Sequence, residues 1–162
     1  MTKRLDEKQV EFKRKWAMPN HKTFNIKPIK KFNEKHLGQK YTDTFPHPYD
    51  RDALQLLKSK KTNSVDRLAF DPVYSLRQLK EKYQSKGISL TQHETQYYWS
   101  DLRQEIGRIV EPGGIVISYG WNSCGIGKTK GFEIIDGLLV CHGGHHNDTI
   151  CTVERKIQET LT

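Results

Sequence analysis

With 162 residues the chain makes one compact domain, in which folding buries about two-thirds of the surface the unfolded chain exposes. Its 35% hydrophobic and 28% charged residues exclude a membrane-spanning protein, since no apolar run nears the ~20 residues a spanning helix needs, and the charged first fourteen residues lack the apolar stretch of a secretory signal, so a cytoplasmic location is expected. The net charge of +8 makes nucleic acid the first partner to consider, because basic side chains gain affinity by displacing counterions from phosphates; the alternative is a solvated basic surface.

In chain order, apolar residues at Leu5, Val10, Phe12, Trp16 and Ala17 among basic and acidic ones predict a surface helix ending before Pro19. Residues 1–20 therefore read as a basic arm, and residues 21–157 as the folded domain. Residues 23–29 are extended or turn-like around Pro28, and 29–37 form a short helix stopped at Gly38. A strand is expected over 41–45 and a helix over 51–60, with Asp50 as its N-cap. The strand expected over 64–70 runs directly into Asp71-Pro72-Val73-Tyr74. Helices follow over 76–86 and 93–110, and Pro112-Gly113-Gly114 breaks the second and opens a strand over 115–119. After a glycine-rich loop come two apolar runs, 132–141 and 149–153, separated by a turn and suited to pair antiparallel. Helix and strand alternate up to that hairpin, which predicts a three-layer α/β domain with a mostly parallel sheet.

Three segments bear on chemistry. Gly125-Ile126-Gly127-Lys128-Thr129 after a strand has the composition of a phosphate loop, but the pattern needs a glycine five residues before Gly127, where Asn122 stands. A loop near a nucleic-acid backbone, with Lys128 and Lys130 on phosphates, fits better. His142, His145 and His146, near Cys141 and Cys151, raise zinc binding or nuclease chemistry, against a turn of structural histidines. The three cysteines are odd in number without CxxC spacing, which favours reduced thiols and no metal.

The third segment is Phe70-Asp71-Pro72-Val73-Tyr74-Ser75, which resembles the Asp-Pro-Pro-Tyr motif of amino methyltransferases. The resemblance continues through Met18-Pro19-Asn20 and Phe24-Asn25-Ile26-Lys27-Pro28-Ile29, through Pro112-Gly113-Gly114 and the run from Ile115 to Ser123, and through Gly131-Phe132-Glu133 and the run from His142 to Glu154. Covering residues 18–156 in family order, it is similar to the S-adenosylmethionine-dependent DNA adenine-N6 methyltransferases of the phage type, in truncated form.

That resemblance implies a Rossmann-like methyltransferase sandwich. It implies that Asp71 accepts a hydrogen bond from an exocyclic amine, that Pro72 supplies the carbonyl acceptor, and that Tyr74 stacks on the extruded base. It assigns the cofactor S-adenosylmethionine to Phe24, Pro28, Asp43, Asp52 and Asp71, with Asp43 on the ribose hydroxyls and Asp52 on the adenine amine. Asp52, in a first helical turn, also reads as a local cap. Two departures stand out. Val73 replaces the motif's second proline, and the glycine turn expected before the acidic strand is reduced to residues 35–40, with the single Gly38 and no apolar strand ahead of it. The implied functions are a weak or inactive enzyme, or a catalytically silent descendant that binds nucleic acid or protein as a phage-encoded accessory or decoy. A second protein that completes the cofactor site is the partner expected besides DNA.

Overall fold

The computed structural model describes residues 9–45, 53–72, 76–85, 87 and 89–157. The described strands are β1 (Lys13–Trp16), β2 (Thr42–Asp43), β3 (Val65–Phe70), β4 (Val110–Gly120), β5 (Phe132–Cys141) and β6 (Thr149–Lys156). The helices are α1 (Lys27–Leu37), α2 (Ala53–Lys58), α3 (Leu76–Ser85) and α4 (Gln92–Ile109), with short 3-10 turns at Thr23–Asn25 and Lys128–Lys130.

The strands form a six-stranded sheet in the order β1-β5-β6-β4-β3-β2. β2, β3 and β4 run parallel, β1 is parallel to β5, and β6 lies antiparallel between β4 and β5. The period of two in the strands divides the core. Leu68, Phe70 and Val116 face Leu57, Leu102, Ile106 and Ile109 of α2 and α4, while Ala69, Ile115 and Ile117 face Ile29 and Leu37 of α1. This is the expected Rossmann-like three-layer sandwich with an antiparallel C-terminal hairpin. The edge strand that carries the acidic residue is only two residues long, Thr42 and Asp43.

Local chemistry explains most boundaries. Pro28 stands in the first turn of α1, where its missing N–H costs nothing, and Gly38 caps the other end at φ 68°, donating its N–H to Glu34 O at 3.3 Å. Asp136 on β5 ties α1 down through His36 Nε2 at 2.8 Å. At the end of α4 the ammonium of the buried Lys156 donates to the Val110, Gly107 and Asn63 oxygens at 2.6, 2.8 and 3.0 Å, supplying positive charge where a helix leaves carbonyls unpaired.

Two expectations are corrected. The helix predicted over residues 5–17 is absent from the described part, where Lys13–Trp16 is instead an edge strand in register with Leu138 to Cys141. Non-local pairing wins here: the Phe12 ring lies over Gly137, where a β-carbon would stand 2.4 Å from it, and a neighbouring strand offers the backbone its partners. The strand expected to open at Ile115 begins at Val110, and Pro112-Gly113-Gly114 bulges out within it, so that Val65 pairs with Val110 but Arg67 with Ile115. A side chain at Gly114 would sit 2.6 Å from Val110 Cγ1, so the bulge needs glycine.

Candidate active-site cleft

In open α/β sheets ligands bind beyond the carboxyl ends of the parallel strands, and a cleft of about 890 Å³ opens there. Asp43 enters it from the end of β2, Asp71 and Pro72 from the end of β3, and Trp121 from just beyond β4. The segment from Pro19 to Ile26 forms one wall, α3 contributes Gln78, Glu81 and Lys82, and the turn between β5 and β6 contributes His142, His146 and Asn147. The volume falls within the ~300–1,000 Å³ of small-molecule sites.

Of the residues expected to bind cofactor or base, the structure brings Phe24, Asp43, Asp71 and Pro72 together in this cleft. Pro28 is not among them; it lines a separate groove of about 220 Å³ between α1 and β1. Asp52 and Tyr74 lie outside the described residues, as does Val73. Gly38 lines neither depression, and no glycine is among the described residues of the cleft wall.

Each of these side chains is held. Asp43 accepts the Phe45 N–H at 3.0 Å, a short turn that aims the carboxylate, while burial, the larger effect, raises its pKa above the ordinary 3.8. The Phe24 ring packs 5.0 Å from that of Tyr119 and edge-on to Tyr41 at 6.5 Å. Tyr119 donates its hydroxyl proton to Asn33 Oδ1 at 2.5 Å; burial first, then Cys151 and Asp71, push its ionisation well above the ordinary 10.0. Behind the cleft, Asp71 is close enough to act on both Tyr119 and Cys151. The Lys82 ammonium lies over the Phe45 ring, 5.0 Å from its centre.

The histidine turn proves structural at its first member. His142 Nδ1 donates to the Ala17 carbonyl at 2.8 Å, and Nε2 meets the Thr149 hydroxyl at 2.8 Å, which pins the strand β1 to the hairpin. Among the described residues no cluster of three histidines, cysteines or carboxylates is arranged to hold a metal.

The glycine loop behaves unlike a phosphate loop because it already holds an anion. The buried Glu154 carboxylate accepts the Ile126 and Gly127 N–H groups at 2.7 and 2.9 Å, and a β-carbon on Gly125 would stand 2.1 Å from its Oε1. Lys128 and Lys130 follow at the far end of the sheet, where the Lys130 stem packs against Gly107. From Thr149 beside the cleft to Lys156 opposite Phe132 is roughly 20 Å of strand, so these lysines do not line the cleft.

Trp121, Lys82 and Gln78 line the cleft without having been singled out as site residues, whereas His142, weighed from the sequence for zinc or nuclease chemistry, lines it as a histidine held by Ala17 and Thr149. Trp121 carried a usable signal, a large aromatic just past a strand end.

The donors present suit part of S-adenosylmethionine. Asp43 suits the ribose hydroxyls, Phe24 offers an apolar face to a ring, and Asp71 an acceptor; the glycine turn for the methionine portion has no counterpart among the described lining residues. No protein-family model and no curated protein matches the sequence. Among solved structures, the chain is similar to TrmN from Thermus thermophilus (20% identity, TM-score 0.41, over 66% of this chain and 27% of that one). It is also similar to TTHA0409, a proposed DNA modification methylase of the same organism, complexed with S-adenosyl-L-methionine (14%, 0.42, 68% and 53%), and to PH0851 (14%, 0.41, 88% and 36%). The chain thus spans between about a quarter and about half of the length of these proteins, and the fold assignment rests on the strand order, not on these likenesses.

Proposed function

We propose that this chain is a methyltransferase-type domain that binds S-adenosylmethionine in the cleft and presents the exocyclic amine of adenine in DNA to it. The observation that carries the reading is the meeting of Asp71-Pro72, at the end of β3, with Asp43 and Phe24 in one cleft. The cofactor supplies an electrophilic methyl group when bound. Asp71 and the Pro72 carbonyl accept hydrogen bonds from the amine, holding its lone pair toward the donor, and Tyr74 stacks on the base. Asp43 and Phe24 hold the nucleoside end of the cofactor, with Asp52 on its adenine amine.

Transfer by this chain alone is slow. The motif departs from its second proline at Val73, a loosening that can cost about a hundredfold, and the missing glycine turn leaves the donor incompletely held, which is the larger loss. A second protein chain completing that wall is part of the proposal, as are a phage origin and a cytoplasmic site of action.

A second reading is favoured by the same absent turn: a silent descendant that keeps nucleic-acid or protein binding and has lost the cofactor. Titrating S-adenosylmethionine while following thermal unfolding separates the two. At a hundred times the dissociation constant a ligand specific for the native state adds about 2.7 kcal/mol, a clear upward shift in Tm. A melting curve unmoved at millimolar cofactor removes the first reading in favour of the second.

A further inference from the structure

The groove of about 220 Å³ between α1 and β1 has two cationic rails. Lys13 and Lys15 alternate along β1, which puts both on one side of that strand, and Lys31 and Lys35 stand about one turn apart on α1. Along either rail the repeat is roughly 6–7 Å, two residues of strand or four of helix. The floor between them is apolar, made by Pro28 and Phe32 from the helix and Leu138 from β5. All four lysines are exposed. Among the described residues Lys13, Lys15 and Lys31 have no carboxylate partner, while Lys35 shares Asp136, the acid in the groove lining, with His36. The Phe32 ring is held by the His36 ring edge-on at 4.7 Å, so its face is presented in a fixed orientation.

We propose that this groove binds a single-stranded segment of nucleic acid, with one base laid against Phe32 and Pro28 and the flanking phosphates on the two lysine rails. Three ammonium groups without counter-charge around an apolar slot favour an anion that also carries a flat apolar part. A nucleic-acid strand has a charge and a ring in every unit, which matches cations repeated along both walls with a ring face between them. An acidic peptide satisfies the rails but brings no ring to the floor, and a duplex keeps its base faces stacked away from it. Lysine contributes point charge without the planar fork that reads base edges, so the contact is one of affinity and not of sequence. The groove also continues the cleft. The segment from Pro19 to Ile26 that walls the cleft leads straight into α1, and Pro28 stands two residues beyond it. A strand whose target base enters the cleft can pass over that wall into the groove. This link rests on the functional reading of the cleft; the groove itself rests on the lysines and Phe32.

The test uses the full chain without cofactor and follows the fluorescence anisotropy of a labelled oligothymidine, an abasic strand of the same length and an oligoglutamate of matched charge. Wild-type protein should bind the thymine strand about fivefold or more tightly than the abasic one, the low end of what one stacked base contributes. Phe32→Leu keeps an apolar side chain and should erase that preference while leaving affinity for the abasic strand unchanged. Lys13→Gln, Lys15→Gln and Lys31→Gln together should weaken both strands about tenfold at low salt and lower the salt slope by about two, as three lost phosphate contacts on a single strand require. The same change at the exposed Lys40, Lys58 and Lys61 removes equal charge and should leave the slope nearly unaltered. Equal losses from the two triple variants overturn the proposal, as does equal binding of thymine and abasic strands by the wild-type protein. Oligoglutamate that binds as tightly as the thymine strand, and is weakened by the groove variants, assigns the groove to an acidic peptide and overturns it too. The thymine and abasic comparison uses wild-type protein, so it does not depend on a variant folding. Groove binding without methyl transfer upholds this inference and counts against the enzymatic reading; methyl transfer with an inert groove does the reverse.

Discussion

Removing the Glu154 carboxylate tests whether the glycine loop is held as described. Glu154→Ala takes away the acceptor of two backbone N–H groups at 2.7 and 2.9 Å. Hydrogen bonds to a charged group contribute about 1.5–3 kcal/mol each, but the carboxylate is almost wholly buried and its pKa is raised by that burial above 4.5, against the pull of the Ile126 and Gly127 amides and Arg103. The desolvation cost offsets part of the gain, which leaves a predicted loss of about 3 kcal/mol, or roughly 6–12 °C in Tm for a domain of this size. Glu154→Gln keeps one acceptor oxygen and should lose about half as much. The sign with pH is also fixed. A carboxyl whose folded pKa lies above its unfolded value binds protons more readily when folded, so its contribution declines as pH rises from 4.5 through the folded value, and the glutamine variant lacks that slope. Thermal melts of both variants, with the exposed Glu81→Gln as a reference expected to change by less than about 0.5 kcal/mol, supply the measurement. A Glu154→Ala protein within about 1 kcal/mol of wild type would refute the claim that this carboxylate holds the loop.

Lys156→Met keeps the apolar stem but leaves the Gly107 and Val110 carbonyls without their buried donor, and should cost about 1–3 kcal/mol by chemical denaturation, whereas exposed Lys35→Met should cost less than about 0.5. For Asp136, burial raises the pKa, but the Gly137 N–H, His36 and Lys35 together outweigh it and hold the group below 3.8. Its contribution is therefore present above that value and lost as pH falls through the lower folded pKa, so Asp136→Asn should differ from wild type at neutral pH and converge with it in acid. Binding to DNA should weaken steeply from low to physiological salt, and reversing charge at both Lys128 and Lys130 should lower the salt slope by about two; an unchanged slope places these lysines off the nucleic acid.

What the sequence disclosed was decided locally. The strand running into Asp71-Pro72, the helix closed by Gly38 and the apolar hairpin all declare themselves through neighbours within a few positions. Asp43 and Asp71 were named through the motif resemblance, and the structure places both at strand ends that open on the cleft. The rest depends on partners distant in the chain. β1 exists because β5, more than a hundred residues on, offers an edge and a glycine gap for Phe12. The glycine loop looked available to phosphate because its true acceptor, Glu154, lies 28 positions away on β6. No local signal marked that acceptor: Thr152, Glu154 and Lys156 read as the polar face of the strand, whereas the structure buries them together with Cys151 and Val153 on the other face. Trp121 and His142 meet Asp71 only because the antiparallel insertion of β6 between β4 and β5 brings the hairpin turn to the same end of the sheet.

The central claim is that the cleft at Asp43 and Asp71 serves methyl transfer to an adenine amine, and the most direct measurement is transfer of a labelled methyl group from S-adenosylmethionine to adenine-containing DNA by the purified chain at high protein concentration. The account predicts slow transfer that vanishes in Asp71→Ala and is little improved in Val73→Pro, since the donor wall stays incomplete. No transfer above the Asp71→Ala blank, or transfer that survives that substitution, would contradict it.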